Sequence, residues 1–203
     1  MVYSLAFALQ ALGLDGASDG ELVERFLATR GELYFTELYR RYSPKVYAKC
    51  VSMLNDPTEA EDAVQVIFER VLLRLGGFRR DAKFGTWLFS VTNNYCIDRL
   101  RRRKRSPVVE VQLPDYFEQA DDAEGPDWLE TQSAPAIRYI LGELSELDRA
   151  VLVLMYMDGL SVKEIGETLG VGGSAVKMRL KRARDRARKL YDAWASRHEL
   201  SAA

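Results

Sequence analysis

Two stretches of this chain concentrate cations. From Arg99 to Arg105 six of seven residues are basic, and from Lys177 to Lys189 basic side chains recur at nearly every second position with only Asp185 opposing them. Groups of this kind at this density suit phosphate, and lysine or arginine can also reach acceptors on guanine in the major groove. Ahead of the first run stand Phe84, Thr86, Trp87, Asn93, Asn94 and Asp98. An aromatic ring can stack on an unpaired base, amides can read the edge of an extruded one, and cations can hold the phosphates between them, so the combination fits single-stranded DNA. Metal chemistry is poorly supplied by contrast. Glu61, Asp62 and Glu69 lie close together, but a di-iron bundle wants Glu-x-x-His pairs, and the only histidine is His198, near the tail. There is no Gly-rich phosphate loop and no nucleophile-base pairing. No catalytic residue, metal or cofactor is expected, and the chain reads as a binding protein and not as an enzyme.

The elements that carry these residues follow from the periodicity. Ser161 to Leu169 reads as a short helix, Gly170 to Gly173 as a turn, and Ser174 to about Trp194 as a long basic helix, which together make a helix-turn-helix. Ile165 and Leu169 on its first helix can face Val176, Leu180, Ala183 and Ala187, which share one narrow stripe at 3.6 residues per turn. The opposite stripe is Ser174, Met178, Lys181, Arg182 and Asp185, flanked by Lys177 and Arg184. Ser174 is expected to cap the helix, its free amides and Lys177 to suit a phosphate, and Lys181 or Arg182 to reach base edges. Farther upstream, Asn55-Asp56-Pro57-Thr58 stops one helix and starts another, with Asp56 able to cap and proline fitting the first turn. On the helix from Thr58 to Leu75, the residues Ala60, Val64, Ile67, Val71 and Leu75 face inward, leaving Asp62, Gln65 and Glu69 on an outer stripe. Phe84-Gly85-Thr86 opens a further helix that runs to Arg105.

The charge totals conceal this arrangement. Lys and Arg number 29 against 30 Asp and Glu, for a net charge of -1. That near-zero sum cancels segregated blocks: residues 108–130 hold eight acidic side chains and no Lys or Arg. The same segment has no sustained apolar period and reads as a solvated linker. The expected organisation is therefore all-α, two small helical domains joined by an acidic linker. Residues 1–18 form an N-terminal extension, 19–106 the first domain, 107–135 the linker, 136–195 the helix-turn-helix domain and 196–203 a tail. The apolar stretch Val2 to Leu14 has no basic residue before it and no convincing cleavage site after it, and it falls short of the about 20 residues that a membrane span needs. Cys50 and Cys96 lack metal or redox spacing and are expected to be reduced core thiols.

LNDPTEAEDAVQVIFERVLLRL followed by FRRDAKFGTWLFSVTNNYCIDRLRRRKR closely resembles region two of the extracytoplasmic-function (ECF, group 4) sigma factors of bacterial RNA polymerase. LSELDRAVLVLMYMDGLSVKEIGETLGVGGSAVKMRLKRARDRARKLYD is similar to their region four. The two likenesses run from about Asp19 to Asp192 and cover nearly all of the chain outside the linker. The resemblance implies a cytoplasmic factor that binds core RNA polymerase and directs promoter recognition, melting and initiation. It assigns Asp62, Gln65 and Glu69 to the β′ coiled coil of the polymerase. Phe84, Thr86, Trp87, Asn93, Asn94, Asp98, Arg99, Arg102 and Arg103 fall to the minus-10 element and its melted strand. Ser174, Lys177, Met178, Lys181, Arg182 and Arg184 fall to the minus-35 element, with the preceding helices partly on the β flap. An anti-sigma protein is a further partner common in the family. Two positions depart from the family pattern: Val66 stands where an acidic residue is usual, and Ala175 replaces a threonine. A stand-alone helix-turn-helix regulator is the alternative, and it leaves the first domain unexplained.

Overall fold

The computed structural model describes residues 14, 16–78, 83–105 and 134–199, and all regular structure among them is helical. In chain order the α-helices are α1 (Asp19–Thr29), α2 (Glu32–Leu54), α3 (Pro57–Arg74), α4 (Phe84–Arg105), α5 (Ala134–Glu143), α6 (Glu146–Leu152), α7 (Val162–Leu169) and α8 (Gly173–Glu199). A 3₁₀ turn, Leu75–Gly77, follows α3, and a π-helical turn, Val153–Met157, follows α6. The helices group into two compact units, Met1–Val51 with Asp56–Tyr95, and Ser52–Asn55 with Cys96–Ala203. The linker expected at 107–135 lies outside the described residues except for Ala134 and Pro135, which open α5. Of the N-terminal stretch Val2 to Leu14, only Leu14 is described, and it is buried. At the other end α8 continues through Glu199, beyond the end expected near Trp194.

In the first unit, helix starts are set by side chains that satisfy otherwise unbonded amides. Ser18 and Glu21 form a reciprocal capping box at α1, and Asp56 accepts from the Glu59 amide at 3.0 Å with Pro57 in the first turn of α3. Arg30 ends α1 in the left-handed region, at φ 56°, and returns its amide to the Phe26 carbonyl. The apolar period runs on through Leu33 and Phe35, so this break between α1 and α2 is not visible in the pattern of hydrophobic residues. Ala60, Val64, Ile67, Val71 and Leu75 are all buried, as the stripe on α3 predicts, and so are Leu22, Leu38, Val46 and Leu88 of the same unit. Each of the valine, leucine and isoleucine side chains contributes about 1.5–3 kcal/mol on leaving water. Cys50 in this unit and Cys96 in the second are buried and form no disulfide.

The second unit is built around α8. Val176, Leu180, Ala183 and Ala187 are buried against Ile165 of α7, Ala150 and Val151 of α6, and Ala136 and Ile140 of α5. Leu169, expected in the same seam, is half-buried. Arg149 is buried as well, and it donates to the carbonyls of Leu141 at 2.8 Å and Met53 at 3.2 Å. Those carbonyls sit in the last turns of α5 and α2, where the main chain has no helical donor left to offer. In the π turn, Asp158 donates its amide to the Val153 carbonyl at 3.2 Å, and Gly159, at φ 67°, then redirects the chain into α7.

Candidate nucleic-acid interface

The helix-turn-helix of α7 and α8 is fixed by a close backbone crossing. Ser161 and Glu164 form a capping box at the start of α7, and Gly170, at φ 63°, ends it. The Val171 amide then donates to the Gly166 carbonyl at 3.0 Å. A Cβ added at Gly166 would lie 2.8 Å from the Val171 carbonyl oxygen, so the turn closes only over a glycine. The chain enters α8 earlier than expected. Gly172 accepts the Val176 amide at 3.2 Å and occupies the capping position, which corrects the assignment of that role to Ser174. Ser174 is exposed within the first turn of α8, where a backbone amide has no partner inside the helix.

Around α8 the cations divide by partner. Lys181 and Arg182 are exposed with Ser174 and Asp185, whereas Lys177, Met178 and Arg184 are half-buried on or beside that face. Arg184 lies next to Tyr156: burial raises the pKa of the phenol and the guanidinium opposes the shift. The other shoulder of the helix carries Arg179 and Arg186, two turns apart. Both donate to Asp148 of α6, at 3.2 and 2.6 Å, and the Asp148 side chain is only 6% exposed. Periodicity alone places these arginines among the general basic run; their acceptor is far off in sequence and gives no local signal.

On α4 the expected residues separate by burial. Phe84 is buried in an aromatic cluster with Tyr42, Phe78 and Trp87, at centroid distances of 5.3, 6.0 and 6.0 Å, and Asn93 is buried at 5% exposure. Phe84 shares a face of α4 with Leu88 and Val91, whereas Asn93, nine residues further on, is buried on the opposite side of the helix, so neither of these two expected DNA-facing residues is on an open surface. Trp87 is half-buried, its ring centroid 5.1 Å from that of Phe78. Thr86, Asn94, Asp98, Arg102 and Arg103 are exposed, and Arg99 is half-buried. Farther along α4, Arg101 donates to the Thr168 carbonyl at the end of α7, and Arg103 pairs with Glu146 at 3.0 Å.

On α3, Asp62, Gln65 and Glu69 are exposed on one stripe, with the Gln65 amide 3.4 Å from the Glu69 carboxylate. The stripe ends in Leu73, which is 85% exposed, with Leu72 beside it at 41%. The sequence holds the signal for Leu73, since its spacing of four from Glu69 continues the row, but a leucine in a helix invites assignment to the core.

A helix-turn-helix with a cationic outer face on its second helix defines a DNA-binding protein, here joined to a second helical unit that a simple regulator does not need. The model of Sigma-70 region 2 matches residues 38–106 and that of Sigma-70, region 4 matches residues 135–186. The chain is 33% identical to the ECF RNA polymerase sigma factor SigW of Bacillus subtilis, over 76% of this chain and 87% of that protein. It is 32% identical to the ECF RNA polymerase sigma factor SigM of Mycobacterium tuberculosis, over 89% of each. Among solved structures, that of CnrH in complex with the cytosolic domain of CnrY shares 26% identity and a TM-score of 0.53, covering 87% of this chain and 99% of CnrH. The fold also matches that of RpoE from Bartonella quintana, solved with the anti-sigma factor NepR, at 23% identity and a TM-score of 0.53 over 78% of this chain and 96% of RpoE. The chain belongs to the ECF sigma factors, the subunits that direct RNA polymerase to promoters. The stand-alone regulator is not favoured, because the region 2 match accounts for the first unit that such a regulator leaves unexplained.

Proposed function

We propose that this sigma factor engages core polymerase through the outer stripe of α3 and reads a two-part promoter with α8 and α4. Asp62, Gln65 and Glu69 contact the β′ coiled coil, and the helices that precede α8 lie partly on the β flap. Lys181 and Arg182 enter the major groove of the minus-35 element, with Ser174 and Lys177 on the flanking phosphates and Met178 and Arg184 at the edge of the contact. At the minus-10 element the half-buried Trp87 stacks on an unpaired base beside Thr86 and Asn94. Asp98, Arg99, Arg102 and Arg103 line the path of the strand. Melting is driven by binding energy without chemistry, so no catalytic group or cofactor takes part. Working on polymerase and chromosomal DNA places the protein in the cytoplasm; no helix among the described residues is long and apolar enough to cross a membrane. An anti-sigma protein would cover the α3 stripe, α8, or both.

The observation that supports this reading most is the exposed acidic and amide row on α3 in a chain whose separate unit carries the helix-turn-helix. Core binding tests it. Asp62→Arg combined with Glu69→Arg reverses charge at two exposed positions, so helical circular dichroism should be unchanged while affinity for core polymerase falls at least tenfold, or about 1.4 kcal/mol. Wild-type affinity in the double variant would remove α3 from the interface.

A further inference from the structure

The pair of arginines that α6 withdraws from the basic face of α8 has a consequence for how the promoter is read. Arg179 and Arg186 are seven residues apart, hence on one shoulder of α8, and they converge on the two oxygens of a single carboxylate: Arg179 Nη1 to Asp148 Oδ1 at 3.2 Å and Arg186 Nη1 to Asp148 Oδ2 at 2.6 Å. Asp148 sits in the first turn of α6, where Ser145 caps the helix by accepting the Asp148 amide, so the main chain that holds the carboxylate is itself anchored. The carboxylate side chain is 6% exposed, and the arginines are 23% and 62% exposed. A buried carboxylate bonded at both oxygens sets a direction as well as supplying attraction, because each guanidinium must approach along its own oxygen.

The clamp does two things to α8. It fixes the rotation of the helix about its own axis: the buried stripe of Val176, Leu180, Ala183 and Ala187 is made of small or slender side chains that by themselves leave the rotation loosely specified, and Asp148 adds a polar stop on one shoulder. It also keeps two cations from phosphate. On a helix so rich in Lys and Arg, sequence-independent attraction competes with base readout, and every cation removed from the backbone raises the share of binding that depends on the bases.

We propose that Asp148 is a positioning residue for upstream-element recognition, acting through Arg179 and Arg186 to aim Lys181 and Arg182 at the groove and to restrain non-specific binding. This rests on the assignment of α8 to the upstream element. It predicts a direction that a merely stabilising role does not: loss of the carboxylate should weaken discrimination while strengthening binding to arbitrary DNA.

The test uses holoenzyme reconstituted with core polymerase and a pool of duplex fragments randomised across the upstream region, with selected fragments sequenced and binding measured against salt. If wild-type holoenzyme selects no upstream sequence, the assignment of α8 fails and the proposal with it; if it selects one, the variants decide. Asp148→Asn should lower the ratio of specific to non-specific binding at least fivefold and steepen the logarithmic salt slope by about 0.9 for each arginine that gains a phosphate. Asp148→Glu, which keeps the charge, should restore much of the ratio and return the slope toward the wild-type value. An unchanged ratio and slope in a folded Asp148→Asn protein would overturn the proposal, even with a lowered melting temperature. Should that variant not fold, Arg186→Gln carries the test, since it opens the exposed half of the clamp without adding a phosphate contact. A weaker upstream motif with no steeper salt slope supports the proposal, and an undiminished motif refutes it.

Discussion

Glu37 has no exposed side-chain surface and still remains a carboxylate. Arg40 donates to it twice, at 2.7 and 2.8 Å, and Arg41 once, at 2.6 Å, so its pKa is held below the usual value, first by the Arg40 bonds and against the cost of burial. Arg41 reaches on to the carbonyls of Leu14 and Ala17 and to Asp19, which ties the start of the first unit to α2. Because the folded pKa lies below the unfolded one, this contribution to stability is complete above the unfolded value of 4.5 and is lost as pH falls through the lower folded value. Glu37→Gln should therefore cost about 1–3 kcal/mol at neutral pH. It should also flatten the fall in melting temperature on acidification below about pH 4.5, measured by circular dichroism against the wild type. An equal acid slope in both proteins would assign the pH dependence elsewhere. None of this network was legible beforehand: EL and RR in α2 look like an ordinary solvated face, and nothing local says that Glu37 is buried while Arg40 stays exposed. Phe84 and Asn93 teach the converse. Both match a DNA-facing pattern by type, but burial is decided by which side of α4 meets the core, and the run from Phe84 to Asp98 offers apolar residues on more than one side.

At the scale of elements, helix identity was far more legible than helix ends. The inward stripe of α3, its Asp56 cap and Pro57 start, and the α7-turn-α8 order follow from local rules that nothing tertiary overrides. The break at Arg30 and the early entry into α8 do not, because each depends on one residue adopting a left-handed or cap conformation inside an unbroken apolar period. Gly166 is the most consequential of the residues that local pattern passes over. Mid-helix glycine usually costs stability relative to alanine, yet here the Val171 carbonyl lies 2.8 Å from where a Cβ would be. Gly166→Ala should lower stability by about 1–3 kcal/mol through that clash. The measurement is chemical denaturation of the full chain alongside Gly76→Ala, at a position where a Cβ meets nothing within 4 Å. If the two substitutions had equal effects, the close crossing would not be what closes the turn.

For the whole molecule, the two-unit, all-helical plan was readable because its elements are long and periodic and because acidic residues collect between the two regions instead of mixing with the basic ones. What could not be read was the division of labour among cations: fourteen residues from Gly173 to Arg186 contain six basic side chains, and two of them, Arg179 and Arg186, are engaged by Asp148, whose position no local pattern gives. Two weak readers joined in one chain also explain how modest individual contacts suffice. Once one element is bound, the other is presented to its own site at a high effective concentration, so the loss of either should lower overall affinity by the ratio of that concentration to its own Kd, about 10²–10⁴-fold. Initiation by purified protein added to sigma-free core polymerase on fragments of the source genome tests that joint action most directly, with transcript starts mapped by sequencing. Reproducible starts behind a shared two-part promoter are expected, abolished by Lys181→Ala with Arg182→Ala; starts that persist unchanged in that variant, or a protein that neither binds core nor initiates, would rule out joint reading by α8 and α4.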